Sequence, residues 1–314
     1  MTGTLRNKTN IWDYVFVTRP ILLVPVWGFL LLGYYRSGGP RFFVSGYFVY
    51  TLACYSLLLA ALYILNQIFD VQSDAINRKH LVIAEGLLPK KGAYLCAFVM
   101  LAVALVMMLR LPMLMIMFFL FSLLCGTLYS LPPVKLKARP IVDFTVNAIG
   151  YGFFNFSLGW LTHRPFSIDT FIFSLPYVFA VGAIFINTTI QDIDGDIKSG
   201  YCTTGIFLGK NKALILSTSL ISCCIVSSAV TRDLICLIPS VLALPLFIIA
   251  AVKRDLDSVA RSIRIGGPLL ILMTGVLFPY FFIVCLLVLL FLRLYYRKRF
   301  NISYPDVSTK DYRS

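Results

Sequence analysis

Two short acidic stretches carry the residue types and spacing that could do chemistry. In LNQIFDVQSDAINRKH, 65–80, Asn66, Asp70 and Asp74 recur every four residues. On an α-helix each such step advances about 400°, so the three side chains share one face and drift about 40° per step. Two carboxylates and a carboxamide on one stripe are hard oxygen donors. They suit Mg²⁺, which keeps several waters and is shared with substrate phosphates. In INTTIQDIDGDIKSG, 186–200, Asp192 and Asp196 repeat the spacing with Asp194 between them. Gly195 and Gly200 predict that this helix soon frays into a loop. Either stretch alone reads equally well as helix caps or solvated boundary residues. Two of them with matching spacing favour a shared site that handles a cation and an anion.

The elements that must position these residues are membrane spans. The chain has 314 residues, 59% hydrophobic and 13% charged. A soluble domain of this length needs more charge to wet its surface. Apolar stretches run over about 12–35, 45–69, 93–109, 111–130, 141–161, 170–190, 211–230 and 233–252. Each approaches the roughly 20 residues that cross a hydrocarbon core. A ninth region, 266–296, contains Pro279, and is read as one long, tilted or kinked span. The fold class is therefore all-α, a polytopic membrane helix bundle of about nine transmembrane helices. It forms a single domain over 1–314 with short polar tails at about 1–11 and 298–314. The polar N-terminus, MTGTLRNKTN, does not read as a cleavable leader. The cysteines lie mostly in apolar stretches without a CxxC pair, as buried apolar residues do.

A net charge of +14 would suggest nucleic acid in a soluble protein. Here it sorts by loop, and no nucleic-acid partner is expected. The N-terminal segment and the loops after even-numbered spans carry 17 Lys and Arg, against 5 after odd-numbered spans. That bias places the first group on the cytoplasmic side. Both acidic stretches follow even-numbered spans, so both fall on that side. Carboxylates gathered there repel unless divalent cations reverse the sign and present positive charge to a diphosphate. The basic tail, Arg293 to Arg313, opposes this pattern with nine spans and fits it if 266–296 turns back.

TLYSLPPVKLKARP, 127–140, falls on the same side. Tyr129 ends a span, Pro132 and Pro133 stiffen the turn, and Lys135, Lys137 and Arg139 follow at alternate positions. It reads as a basic interfacial loop or as a phosphate-binding loop. The span DFTVNAIGYGFFNFSLGW supplies Asn147 and Asn155. Amides in a span need partners, and these could orient an acceptor or bond a neighbouring helix. His163 reads as solvated.

Together these segments resemble the UbiA superfamily of intramembrane prenyltransferases. NxxxDxxxD is met by Asn66, Asp70 and Asp74, DxxxD by Asp192 and Asp196, and KSGYCTTG follows the second. YSLPPVKLK, 129–137, is similar to the YSxPPxxLK loop of the branch with chlorophyll, homogentisate and archaeal ether-lipid prenyltransferases. TRPILL, 18–23, is similar to the motif that opens the first span. The resemblance implies helices around a central cavity, capped on the cytoplasmic side by the acidic loops. It implies Asn66, Asp70, Asp192 and Asp196, with Asp74 beside them, as the Mg²⁺–diphosphate set. It implies Arg19, Arg78, Tyr129, Lys135 and Lys198 as diphosphate or cation-stabilising contacts. One departure stands out. Where that branch carries NRPxRPxxxG, this chain has NRKHLVIAEG, 77–86, so Leu81-Val82 replace an Arg-Pro: either an expected phosphate contact is missing or Lys79 or His80 substitutes for it. The implied activity is Mg²⁺-dependent transfer of a prenyl group from an isoprenyl diphosphate to a lipophilic acceptor within the lipid bilayer. A membrane terpene cyclase shares the ionisation step. An ion or phosphate transporter would place its acids mid-span instead of at span ends.

Overall fold

The computed structural model describes residues 9–76 and 79–302. Among these residues there are helices and no strands. In chain order they are α1 (Ile11–Phe16), α2 (Pro20–Arg36), α3 (Gly46–Ile76), α4 (Lys90–Met108), α5 (Met113–Ser130), α6 (Val142–Asn147), α7 (Phe156–Leu161), α8 (Ile168–Gln191), α9 (Ile193–Lys198), α10 (Thr204–Val230), α11 (Leu234–Lys253), α12 (Leu256–Leu277) and α13 (Pro279–Phe300). A π-helical segment, Ala148–Asn155, joins α6 to α7. The fifth apolar stretch is thus one run with a widened middle.

Eight of these helices, α3, α4, α5, α8, α10, α11, α12 and α13, are long and apolar enough to cross a membrane. The protein is an integral, multi-pass membrane protein. The expected total of nine spans is not confirmed, and the region expected as the ninth differs. It falls across two helices of 22 residues each, α12 and α13, which are separated at Phe278. Pro279 has no N–H to give α12 and forces the residue before it out of helical geometry, and Phe278 sits at φ −127° and ψ 82°.

The helix starts follow local chemistry. Asn10 and Asp13 form a reciprocal capping box on α1. Pro20 opens α2, where its missing N–H costs nothing. α3 has 31 residues, about 46 Å at 1.5 Å per residue. That exceeds a hydrocarbon core of roughly 30 Å, so its acid-bearing end reaches the interface. α4 turns Leu95, Phe98, Val99 and Val106 outward, as lipid-facing residues do.

The described residues group into two compact units. The first comprises those within 1–24, 46–135 and 283–306. Its core joins Phe16 and Val17, Ile64 and Ile68 of α3, Val82 and Leu87, and Leu292, Tyr295, Tyr296 and Phe300 of α13. Asp13 is fully buried there, bonded to Tyr295 Oη at 2.7 Å and to Arg299 at 2.9 Å. The basic end of α13 therefore lies at the same end of this unit as α1 and the acidic end of α3. That placement agrees with a chain that turns back within 266–296.

The second unit comprises the described residues within 25–45 and 136–282. α10 packs on α8 and α11, and α12 on α11 and α8. α2 and α7 meet backbone to backbone at Gly33 and Gly159. A Cβ on either would collide with the carbonyl of Phe156 or Leu30, so only glycine allows the approach. Lone acids of the sequence find structural partners here. Asp233 caps α11, accepts from Tyr177 Oη at 2.6 Å and pairs with Arg36 at 3.6 Å. Asp143 accepts from the backbone N and hydroxyl of Thr204.

Candidate active site

The first motif lies wholly on α3, so the expected single face is realised on an uninterrupted helix. Asp70 and Asp74 are 4% and 6% exposed, and Asn66 is half-buried. Asn66 Nδ2 donates to Asp70 Oδ2 at 2.7 Å and to Ser130 Oγ at 2.9 Å. This bridge ties the motif to the loop that begins at Tyr129. With Nδ2 so used, the amide presents Oδ1 as a hard oxygen donor beside two buried carboxylates. That donor set fits Mg²⁺. Among the described residues no three His, Cys, Asp or Glu side chains gather closely enough to hold a metal by themselves. A magnesium ion bound through one or two carboxylates, waters and substrate phosphate does not need three.

Gln67, absent from the sequence expectations, is 1% exposed and donates to Val17 O at 2.5 Å. It pins the turn between α1 and α2 against the motif helix. Arg19 sits in that turn with a left-handed backbone, φ 53°, half-buried and in no ion pair among the described residues. Ser130 was also missed. Its signal was adjacency to Tyr129 in the YSLPP stretch, but only the fold shows that Asn66 reaches it. Tyr129 and Lys135 are half-buried on this loop.

The segment after the motif explains the departure at 77–86. Arg78 lies outside the described residues. Leu81 is buried, and Val82 and Ile83 are buried in the core of the first unit, where an Arg-Pro would need solvation. Lys79 Nζ stands 3.8 Å from Asp74 Oδ1, so it joins the acidic face. His80 instead meets Glu85 at 2.8 Å. Of the two expected substitutes, Lys79 is the one beside the motif.

The second motif lies in the other unit. The helix ends before Gly200, as the two glycines led one to expect, but it is first interrupted upstream of Gly195. It breaks at Asp192 (φ −91°, ψ 2°) and resumes as α9 until Lys198. Asp196 N donates to Asp192 O at 2.8 Å, so one helical turn keeps the four-residue spacing through the break. Asp192 is half-buried and Asp196 buried, whereas Asp194 and Lys198 are exposed. Lys198 shares its face of α9 with Asp194, away from the Asp192–Asp196 stripe. Beyond Gly200 (φ 71°), Thr204 fastens the chain to Asp143, and Lys137 Nζ lies 5.1 Å over the Tyr201 ring.

On the fifth apolar stretch, Asn147 Nδ2 donates to Asp143 O at 2.8 Å, a bond within its own helix. Asn155 ends the π-helical segment and is 2% exposed. The exposed His163 ring packs edge-on to Tyr34 at 5.7 Å.

The model of the UbiA prenyltransferase family matches residues 22–265. A chloroplastic 2-acylphloroglucinol 4-prenyltransferase from Humulus lupulus is 28% identical over 70% of this chain and 58% of its own length. A probable homogentisate phytyltransferase 2 from Oryza sativa subsp. japonica is 30% identical over 50% of this chain and 44% of its own. The chain thus spans about half the length of these curated relatives. Among solved structures, a UbiA homolog from Archaeoglobus fulgidus bound to GPP and Mg²⁺ is 19% identical. It aligns over 84% of this chain and 99% of that one with a TM-score of 0.63, a likeness of fold.

Proposed function

Since the chain belongs to the UbiA prenyltransferase family, we propose that it works as a single membrane domain, ionising an isoprenyl diphosphate and passing the prenyl group to a lipophilic acceptor. The observation that carries this reading is the stripe of Asn66, Asp70 and Asp74 on one helix, with both carboxylates nearly inaccessible. Buried carboxylates at a membrane boundary are costly unless a cation balances them. Lys79 brings one positive charge to this face from a partly exposed position, and the hard oxygen donors of the stripe suit a divalent cation beside it.

Asn66, Asp70, Asp74, Asp192 and Asp196 would hold Mg²⁺, placed on the cytoplasmic side by the charge bias of the loops. Held there, Mg²⁺ would supply charge neutralisation of the diphosphate leaving group. The chain's own residues do the rest. Arg19, Arg78, Tyr129 and Lys135 bind and orient the diphosphate. Lys198, on the outer face of α9, adds positive potential. The allylic C–O bond breaks with its electron pair leaving on diphosphate, and the acceptor bonds to the prenyl carbon and loses a proton. Asn147 and Asn155 are assigned to the acceptor side. Asn155 has the stronger claim, because Asn147 already spends its amide on Asp143 O. The relatives' names carry an acylphloroglucinol and homogentisate. Both are hydroxylated aromatic rings, which supports a phenolic ring as acceptor and transfer over cyclisation.

The test is diphosphate release from geranyl, farnesyl and geranylgeranyl diphosphate, with and without Mg²⁺ and a panel of phenolic acceptors. Asp70→Asn and Asp192→Asn should abolish Mg²⁺-dependent release while the protein stays folded in detergent. Full turnover by both variants, or a cyclic hydrocarbon formed without acceptor, would sink the proposal.

A further inference from the structure

The far end of α13 carries a second basic feature, outside the acidic motifs. Arg293 and Arg297 stand four residues apart on one face, and Asn301 follows four later. With Ile302 they line a half-open cavity of about 240 Å³. Both arginines are exposed, and neither forms an ion pair among the described residues. The nearby acid, Asp13, is already committed to Arg299 and Tyr295. Two guanidinium forks with adjacent stems can close on one tetrahedral anion, and an amide can add a donor.

The depth of this cavity is set by α1. Ile11, Trp12 and Val15 are 72%, 50% and 46% exposed, whereas Asp13 and Phe16 are buried. Such a short helix, apolar outward with a tryptophan, has the composition of a segment that seats in the plane of the headgroups. It is fixed to α13 by the Asp13 bonds and by the stacked rings of Phe16 and Tyr295, 3.8 Å apart. With α1 seated there, the cationic cavity comes to the level of the lipid phosphates.

We propose that Arg293, Arg297 and Asn301 form a binding site for the phosphate of an anionic membrane lipid, with α1 seated in the same leaflet. The site is independent of the transfer reaction. Lipid phosphate is the occupant because the anchoring helix places the cavity among headgroups, whereas a soluble anion gains nothing from α1.

The test uses the delipidated full chain in detergent, with lipid binding followed by thermal shift and native mass spectrometry. The probes are phosphatidylglycerol, phosphatidylcholine and inorganic phosphate. The wild-type protein should retain and be stabilised by phosphatidylglycerol over phosphatidylcholine. Arg293→Gln/Arg297→Gln should bind it roughly tenfold or more weakly, the loss of two charge-assisted hydrogen bonds. Arg297→Gln alone should show a smaller loss. Lys90→Gln/Lys91→Gln removes the same charge from two exposed residues at the start of α4 and should bind as the wild type does. Equal weakening in both double variants, or in neither, overturns the site. Stabilisation by inorganic phosphate that matches the lipid overturns the lipid as occupant.

Discussion

Replacing Asn66 by aspartate exchanges one NH₂ for one oxygen, with almost no change of shape. In the native protein that NH₂ lies 2.7 Å from Asp70 Oδ2 and 2.9 Å from Ser130 Oγ. The variant loses a hydrogen bond to a charged group, worth about 1.5–3 kcal/mol. It also sets a carboxylate against a carboxylate, and at about 4 Å with an effective dielectric near 20 that repulsion reaches about 4 kcal/mol if both stay ionised. Relaxation of the two side chains away from each other limits the cost, so a net loss of about 3 kcal/mol is expected, or roughly 5–10 °C in Tm. If the stripe holds Mg²⁺, the added carboxylate strengthens the very site whose emptiness it penalises. Millimolar Mg²⁺ with a non-hydrolysable prenyl diphosphate should then raise the Tm of Asn66→Asp by more than it raises that of the wild type. Asn66→Leu should fall in Tm with no such recovery. The assay is thermal unfolding of detergent-purified protein across a Mg²⁺ titration, with Ca²⁺ as a second cation. The reasoning is refuted if Mg²⁺ shifts Asn66→Asp no more than Asn66→Leu, for Asn66 would then be only a bridge between α3 and the Tyr129 loop.

Two further outcomes follow from the structure. Asp13→Asn breaks a buried charge pair and leaves Arg299, 13% exposed, without its carboxylate. A loss of about 3–5 kcal/mol is expected, read as a lower Tm with full-length protein still inserted in membranes. Asp255 caps α12 by accepting from the Ser258 backbone N and hydroxyl at 2.7 and 2.8 Å, and these bonds hold its carboxyl below the usual carboxylate value. With the folded value depressed, the cap stabilises fully above about pH 4 and is lost as pH falls through the lowered value. Asp255→Ala should therefore cost about 1 kcal/mol at neutral pH and nothing once the native cap is protonated, which paired pH–Tm curves would show.

Much of the candidate site was legible because it is written in local periodicity. The four-residue spacing of Asn66, Asp70 and Asp74 needs only that the segment be helical, and α3 continues past the apolar run to Ile76. Asp192 and Asp196 share that spacing, although the helix breaks at Asp192. Their spacing survived because one i to i+4 bond spans the break. Lys198, implied by the resemblance as a diphosphate contact, lies on the exposed face of α9 with Asp194.

What the sequence by itself determined was the class of the protein, its apolar helices, and which side chains share a helix face. Those properties depend on composition and on turns of a few residues. Only the tertiary structure decided which distant groups meet. It joined Asn66 to Ser130, 64 residues away, and Asp13 to Arg299, 286 residues away. It gave the lone acids Asp143 and Asp233 their structural partners. It also divided 266–296 at Phe278 and brought the basic end of α13 to α1. The physical reason is that desolvating a charge is expensive enough to demand a partner, while the spacing of residues along a chain says nothing about where a remote partner will be.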